Sequence, residues 1–145
     1  MLQYKNGRLY GNGVSFEIPE GFFIEPNPGV ALMDGIMLFS PDKKFWVQYE
    51  FQKMESAHDG LHVLLSDFEG TVLNPITPLE INGLNGYCAS YLDGTYSYYE
   101  ARFDILPEDS EHTTFLFIIG VRRFALDEIL SSPEYQRALH SFRKE

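Results

Sequence analysis

The chain has 145 residues and an apolar share of 44%, and at that size a domain buries roughly 70% of the surface that its unfolded chain exposes. Its 21 acidic residues outweigh 11 Lys and Arg for a formal charge of −10; such a field repels phosphate backbones, so nucleic acid is disfavoured as a partner. One cysteine, Cys88, leaves no internal disulfide and no four-cysteine zinc site, and no apolar run is long enough for a membrane span.

The opening MLQYKNGRLYGNG has neither a basic stretch leading into an apolar one nor a small-residue cleavage site, so a reducing, cytoplasmic setting is expected. No repeat, low-complexity tract or linker interrupts the sequence, and residues 1–145 read as one domain. Asn6-Gly7, between LQYK and RLYG, is a two-residue hairpin signal. VSFEIP (Val14 to Pro19) alternates, with Val14, Phe16 and Ile18 on one face, and Pro19-Glu20-Gly21 turns the chain. A strand over GIMLFS (Gly35 to Ser40) meets a turn at Pro41-Asp42-Lys43-Lys44. FWVQYEFQK then puts Phe45, Val47, Tyr49 and Phe51 on one side and Trp46, Gln48, Glu50 and Gln52 on the other.

Beyond this strand the period changes from two to about 3.6. Met54, Ala57, Leu61, Leu64, Leu65 and Phe68 share one stripe, which predicts an amphipathic helix ending near Gly70 and packed on a sheet. NPITPLEINGLNG, with two prolines and two Asn-Gly pairs, reads as a connection. Strands return in GYCASYL (Gly86 to Leu92), TYSYYEARFDIL (Thr95 to Leu106) and TTFLFIIGVR (Thr113 to Arg122), and the short links Asp93-Gly94 and PEDSEH make them an antiparallel meander. The last of the three is apolar on both phases, as expected of a strand covered on both faces. In LDEILSSPEYQRALHSFRKE, Ser132 can cap a helix with Pro133 at its first position, and Tyr135, Leu139 and Phe142 form the apolar stripe. The expected fold is α+β, an antiparallel sheet flanked by helices on both faces in an α/β/α sandwich.

Three stretches carry a family resemblance. GNGVSFEIPEGF (Gly11 to Phe22) is similar to the opening G-[IV]-S-F-x-[IV]-P-x-G-[WF] of the PsbP-like superfamily, INGLNGYCASY (Ile81 to Tyr91) to its I-x-G-x-x-G turn into a strand, and SPEYQRALHSFR to its last helix. The superfamily includes the photosystem II subunit P, the Mog-type Ran-binding factor and the Eag-type secretion chaperones. The resemblance spans nearly the whole chain, on turns and core positions. It implies the α/β/α sandwich and action by binding other proteins, or by helping to assemble a metal cluster held elsewhere, without shared catalytic machinery. No functional residue transfers, since no partner-contacting position can be matched here.

Against that background the sequence offers few handles for chemistry. His58-Asp59-Gly60-Leu61-His62 resembles the zinc-protease pattern H-E-x-x-H, and His58, His62 and Glu55 fall along one helix flank. However, Gly60 weakens the helix at the motif's centre by roughly 1 kcal/mol relative to Ala, Asp replaces the longer Glu, and no clear third ligand follows. The pair reads as the polar boundary of a surface helix. Cys88, alternating with Ser90 and Leu92, reads as a small buried hydrophobe. There is no G-x-S-x-G elbow and no phosphate-binding glycine loop. The expectation is a protein without catalytic residues, cofactor or metal: an interaction or chaperone-like module with a protein or peptide partner. The alternative is a small-ligand or metal-ion binding domain, with or without hydrolytic activity.

The expected binding surface comes from comparing two strands. Trp46, Gln48 and Glu50 on one, and Tyr96, Tyr98, Glu100 and Arg102 on the other, each run from aromatic to charged. If they share a face, the charged ends should lie open to water and the aromatic ends either under a helix or at a groove margin. Trp46, Tyr96, Tyr98 and Arg102 are expected to line that groove, since Trp, Tyr and Arg most often anchor interfaces.

Overall fold

Asn6 and Gly7 both take positive φ, 52° and 78°, the mirror-image turn whose twist suits a tight hairpin. They join β1 (Gln3–Lys5) to β2 (Arg8–Gly11), with Lys5 facing Arg8. This computed structural model describes residues 3–11, 13–24, 35–41, 45–53, 56–105, 113–122 and 126–145, with backbone alone at 23–24, 35, 45, 51–53 and 113–122. β3 (Val14–Glu17) continues the meander, and β11 (Arg143–Lys144) pairs with it to complete a four-stranded sheet ordered β1-β2-β3-β11.

The larger sheet has seven strands: β4 (Phe23–Ile24), β5 (Gly35–Phe39), β6 (Phe45–Lys53), β7 (Thr71–Ile81), β8 (Leu84–Asp93), β9 (Tyr96–Ile105) and β10 (Thr113–Arg122). Their order is β4-β5-β6-β10-β9-β8-β7, and every pairing is antiparallel. Three helices complete the chain: α1 (Ala57–Ser66), α2 (Leu126–Leu130) and α3 (Pro133–Leu139). The fold is therefore α+β, built on antiparallel sheets. Among the described residues no helix is long and apolar enough to cross a membrane.

The β8-β9-β10 meander matches its expectation, while NPITPLEINGLNG does not. That stretch is mostly strand, and Pro75 and Pro78 lie within β7. A proline is tolerated there because β7 is an edge strand with register shifts between Val72 and Asn74 and between Asn74 and Thr77. Only the first Asn-Gly pair turns the chain, with Asn82 and Gly83 at φ 51° and 81°. The second lies inside β8, where a Cβ on Gly86 would run into the carbonyl of Arg102 on β9. That glycine serves close strand approach rather than reversal.

α1 begins at the Ser56 cap, whose hydroxyl accepts from Asp59 N at 3.0 Å, and stops at Asp67 rather than Gly70. Ala57, Gly60 and Leu61 are its buried residues, and Met54 lies outside the described set. Just beyond the helix, the Phe68 ring meets Tyr91 of β8 at 5.0 Å, and His58 meets Tyr87 at 5.0 Å. Ser132 caps α3 as expected, accepting from Tyr135 N at 3.1 Å.

The small sheet corrects the expectation of one sheet covered by helices alone. Phe16 of β3 stacks on Tyr49 of β6 at 3.9 Å, and Phe142 packs on Phe16, Tyr49 and Phe103 at 5.2, 5.8 and 5.4 Å. Val14, Leu38, Val47, Ala101 and Leu139 join this core. Phe142 follows α3 instead of lying within it, so the last core ring is set by the turn into β11. The three stretches that carry the resemblance meet here. Asn82 Nδ2 donates to the carbonyls of His140 and Phe142 at 2.9 and 2.7 Å, and Glu17 N donates to Ser141 Oγ at 2.8 Å.

Candidate functional site

Directly paired residues of an antiparallel sheet show their side chains on one face. The register therefore places Val72, Tyr91, Tyr98, Gly120, Trp46 and Phe39 in one row across six strands. Trp46 and Tyr98 are two strands apart, about 9.6 Å by the usual strand spacing, yet their rings meet edge to face at 6.0 Å. Gly120 stands between them and has no side chain to keep them apart. Tyr96 meets Trp46 at 5.3 Å, while Tyr98 stacks on Tyr91 at 5.1 Å. Phe68, Tyr91, Tyr98, Trp46 and Tyr96 thus form a continuous chain of rings. Tyr96 is 42% exposed at its open end, and Val72 is exposed at the β7 edge. Burial first, and the Asp93 carboxylate second, raise the Tyr98 hydroxyl above its ordinary range.

The structure brings Trp46, Tyr96 and Tyr98 together and separates Arg102 from them. It also reverses the expected polarity, because Glu100 and Arg102 are 1% and 5% exposed. Arg102 Nε donates to Glu100 Oε2 at 2.6 Å, and the Tyr91 hydroxyl donates to Glu100 Oε1 at 3.1 Å. These partners make burial of the charges tolerable. Burial and the Glu100 carboxylate together push the Tyr91 hydroxyl well above its ordinary range. α1 docks toward the charged end: Ala57 N donates to Asp104 Oδ1 at 2.7 Å, and the small residues Ala57 and Gly60 are buried there. Arg102 is consequently part of a buried network and does not line a groove.

Phe68, Tyr91 and Val72 were not singled out by sequence reasoning. Phe68 falls on the apolar stripe of the expected helix, and Val72 lies between that helix and NPITPLEINGLNG, in a stretch with no expected element. Gly120, a lone glycine in an otherwise apolar strand, was the readable signal, since such a glycine marks close approach or a bulge.

An open cleft of about 720 Å³ adjoins the row between the end of α1 and the β8–β9 turn. Val63, Leu64 and Phe68 line it together with Asp67, Glu69 and Asp93. A second cleft, of about 420 Å³, lies between the β1–β2 turn and α3. Its Arg8 and Arg137 already pair with Glu17 at 3.5 and 3.1 Å.

His58 and His62 are exposed, with parallel rings 6.2 Å apart, and His58 Nδ1 lies 3.4 Å from Asp59 Oδ1. Glu55 lies outside the described residues. Among the described residues no three His, Cys, Asp or Glu side chains are grouped to hold a metal ion.

Fold and site together define an antiparallel α+β protein with an aromatic ledge on its larger sheet. No family model and no curated protein matches the chain. Among solved structures it is similar to a chain from Bacteroides thetaiotaomicron VPI-5482, with a TM-score of 0.53 at 9% identity. That likeness covers 92% of this chain and 45% of the other, so the present chain spans less than half of that structure's length. At this identity it is a likeness of fold alone.

Proposed function

We propose that this chain is a non-catalytic interaction or chaperone-like module that binds a protein or peptide through the aromatic ledge. The carrying observation is the ring chain that ends in exposed Tyr96, with Trp46 and Tyr98 beside it. Rings already held by their neighbours lose few rotamers on binding and offer large apolar area, which favours them as anchors. The proposal includes a PsbP-like α/β/α layering, with α1 on the Tyr87 and Tyr91 face and α2 and α3 on the other, and a cytoplasmic setting. The contact of His58 on α1 with Tyr87, that of Phe68 just beyond it with Tyr91, and the Tyr99–Tyr135 contact at 5.9 Å support this layering.

Tyr96→Ala tests the reading. The residue is 42% exposed, so its loss should cost on the order of 1 kcal/mol, a shift of about 4 °C in Tm. Capture of the native partner from a lysate of the host should nevertheless fall sharply, by pull-down with quantitative mass spectrometry. Undiminished capture by a folded Tyr96→Ala protein would refute the ledge as the binding surface.

A further inference from the structure

We infer that the cleft beside the ledge takes a basic peptide segment, whose Lys or Arg side chains meet the rim while its apolar side chains rest on the ring chain. The inference depends on the interaction reading above and names the chemistry of the partner. Its first support is the composition of the cleft: an apolar floor of Val63, Leu64 and Phe68 under a rim of Asp67, Glu69 and Asp93. Val63 is 56% exposed, so the floor is open to an incoming side chain.

Charge is the second support. The cleft lies at the C-terminal end of α1, where the helix dipole presents partial negative charge and where cations stabilise. Yet the last turn of α1 holds no base, and Asp67 occupies the C-cap. Among the described residues no ion pair reaches Asp67, Glu69 or Asp93. Three acids and a helix end therefore concentrate negative potential, and among the described residues no Lys or Arg lines the cleft.

Geometry selects a peptide over a lone cation. Among the described residues, Asp67, Glu69 and Asp93 do not form a group able to hold a metal ion. An extended basic segment can reach each in turn. The aliphatic stem of a Lys or Arg suits a floor of Phe68 and Val63 while its head stays at the wet rim. A neighbouring guanidinium can lie over the exposed Tyr96 face.

Trp46 is the single tryptophan of the chain, so its emission reports directly on the ledge. The test titrates the protein with a short synthetic peptide of alternating Lys and Leu, and with Glu/Leu and Lys/Ser counterparts. The expected result is a saturable change in Trp46 emission with the Lys/Leu peptide that weakens as salt is raised. Both counterparts should bind at least tenfold more weakly. Asp67→Asn, Glu69→Gln and Asp93→Asn together should weaken Lys/Leu binding about tenfold at low salt, as three exposed charge pairs of modest strength would. No response to the Lys/Leu peptide, an equal response to the Glu/Leu peptide, or unchanged affinity in the triple variant would each overturn the inference. Binding that falls in Tyr96→Ala but not in the triple variant would overturn the charge argument and leave the interaction reading standing. Native-partner capture that survives Tyr96→Ala would instead overturn that reading itself.

Discussion

At the scale of single residues, the decisive side chains are those whose partners reverse their ordinary preference. Arg102 and Glu100 are charged yet buried, because each satisfies the other and Tyr91 takes the remaining carboxylate oxygen. Arg102→Ala leaves Glu100 without its cation and should cost about 3–5 kcal/mol in urea denaturation. Replacing both, with Glu100→Leu and Arg102→Met, should recover much of that loss, since an apolar pair of similar volume has no charge to desolvate. His58 and His62 are the opposite case, polar side chains where polar side chains are ordinary. His58→Ala combined with His62→Ala should change stability by no more than about 0.5 kcal/mol. Added zinc should raise Tm no more in the parent protein than in the double variant, as checked by thermal denaturation with and without the metal.

At the scale of elements, the larger sheet acts as a platform that each covering element meets through a few small or aromatic contacts. α1 approaches through Ala57 and Gly60, so the glycine that looked like a weakness in the helix lies at its buried face. β7 runs through two prolines because it lies at the edge, where a missing N–H breaks no second ladder. The turn after α3 inserts Phe142 among Phe16, Tyr49 and Phe103. Phe142 is 0% exposed, so Phe142→Ala removes a fully enclosed ring and should cost about 3–5 kcal/mol. Denaturant midpoints would measure this, and a cost under about 1 kcal/mol would show that the terminal segment only decorates the sheet.

At the scale of the whole molecule, segments far apart in sequence close on each other. Ser15 on β3 donates to Glu145, a pairing across 130 positions of sequence, and Glu145 N donates to Gly13 O at 2.9 Å. The Ser15 hydroxyl first, and Arg143 second, hold the Glu145 carboxyl below its usual range. A carboxyl lowered in the folded state stabilises above its unfolded pKa and loses that contribution as pH falls through the folded value. Glu145→Gln should therefore be less stable than the parent at neutral pH and equal to it in acid. Contacts of such long separation form after the transition state when local pairings lead, so the variant should unfold faster at an unchanged folding rate in stopped-flow kinetics. The sequence by itself determined the strands whose alternation is local, the Asn6-Gly7 turn, the Ser132 cap and the 8-9-10 meander, because each depends on neighbours within a few residues. It also singled out Trp46, Tyr96 and Tyr98. Only the tertiary structure decided that β7 is a strand, that β11 extends a second sheet, and that Trp46 reaches Tyr98 over Gly120. The same long-range pairing buried the charged end of the face and left the aromatic end open, because burial depends on which element docks above a strand, which the strand's own alternation does not encode.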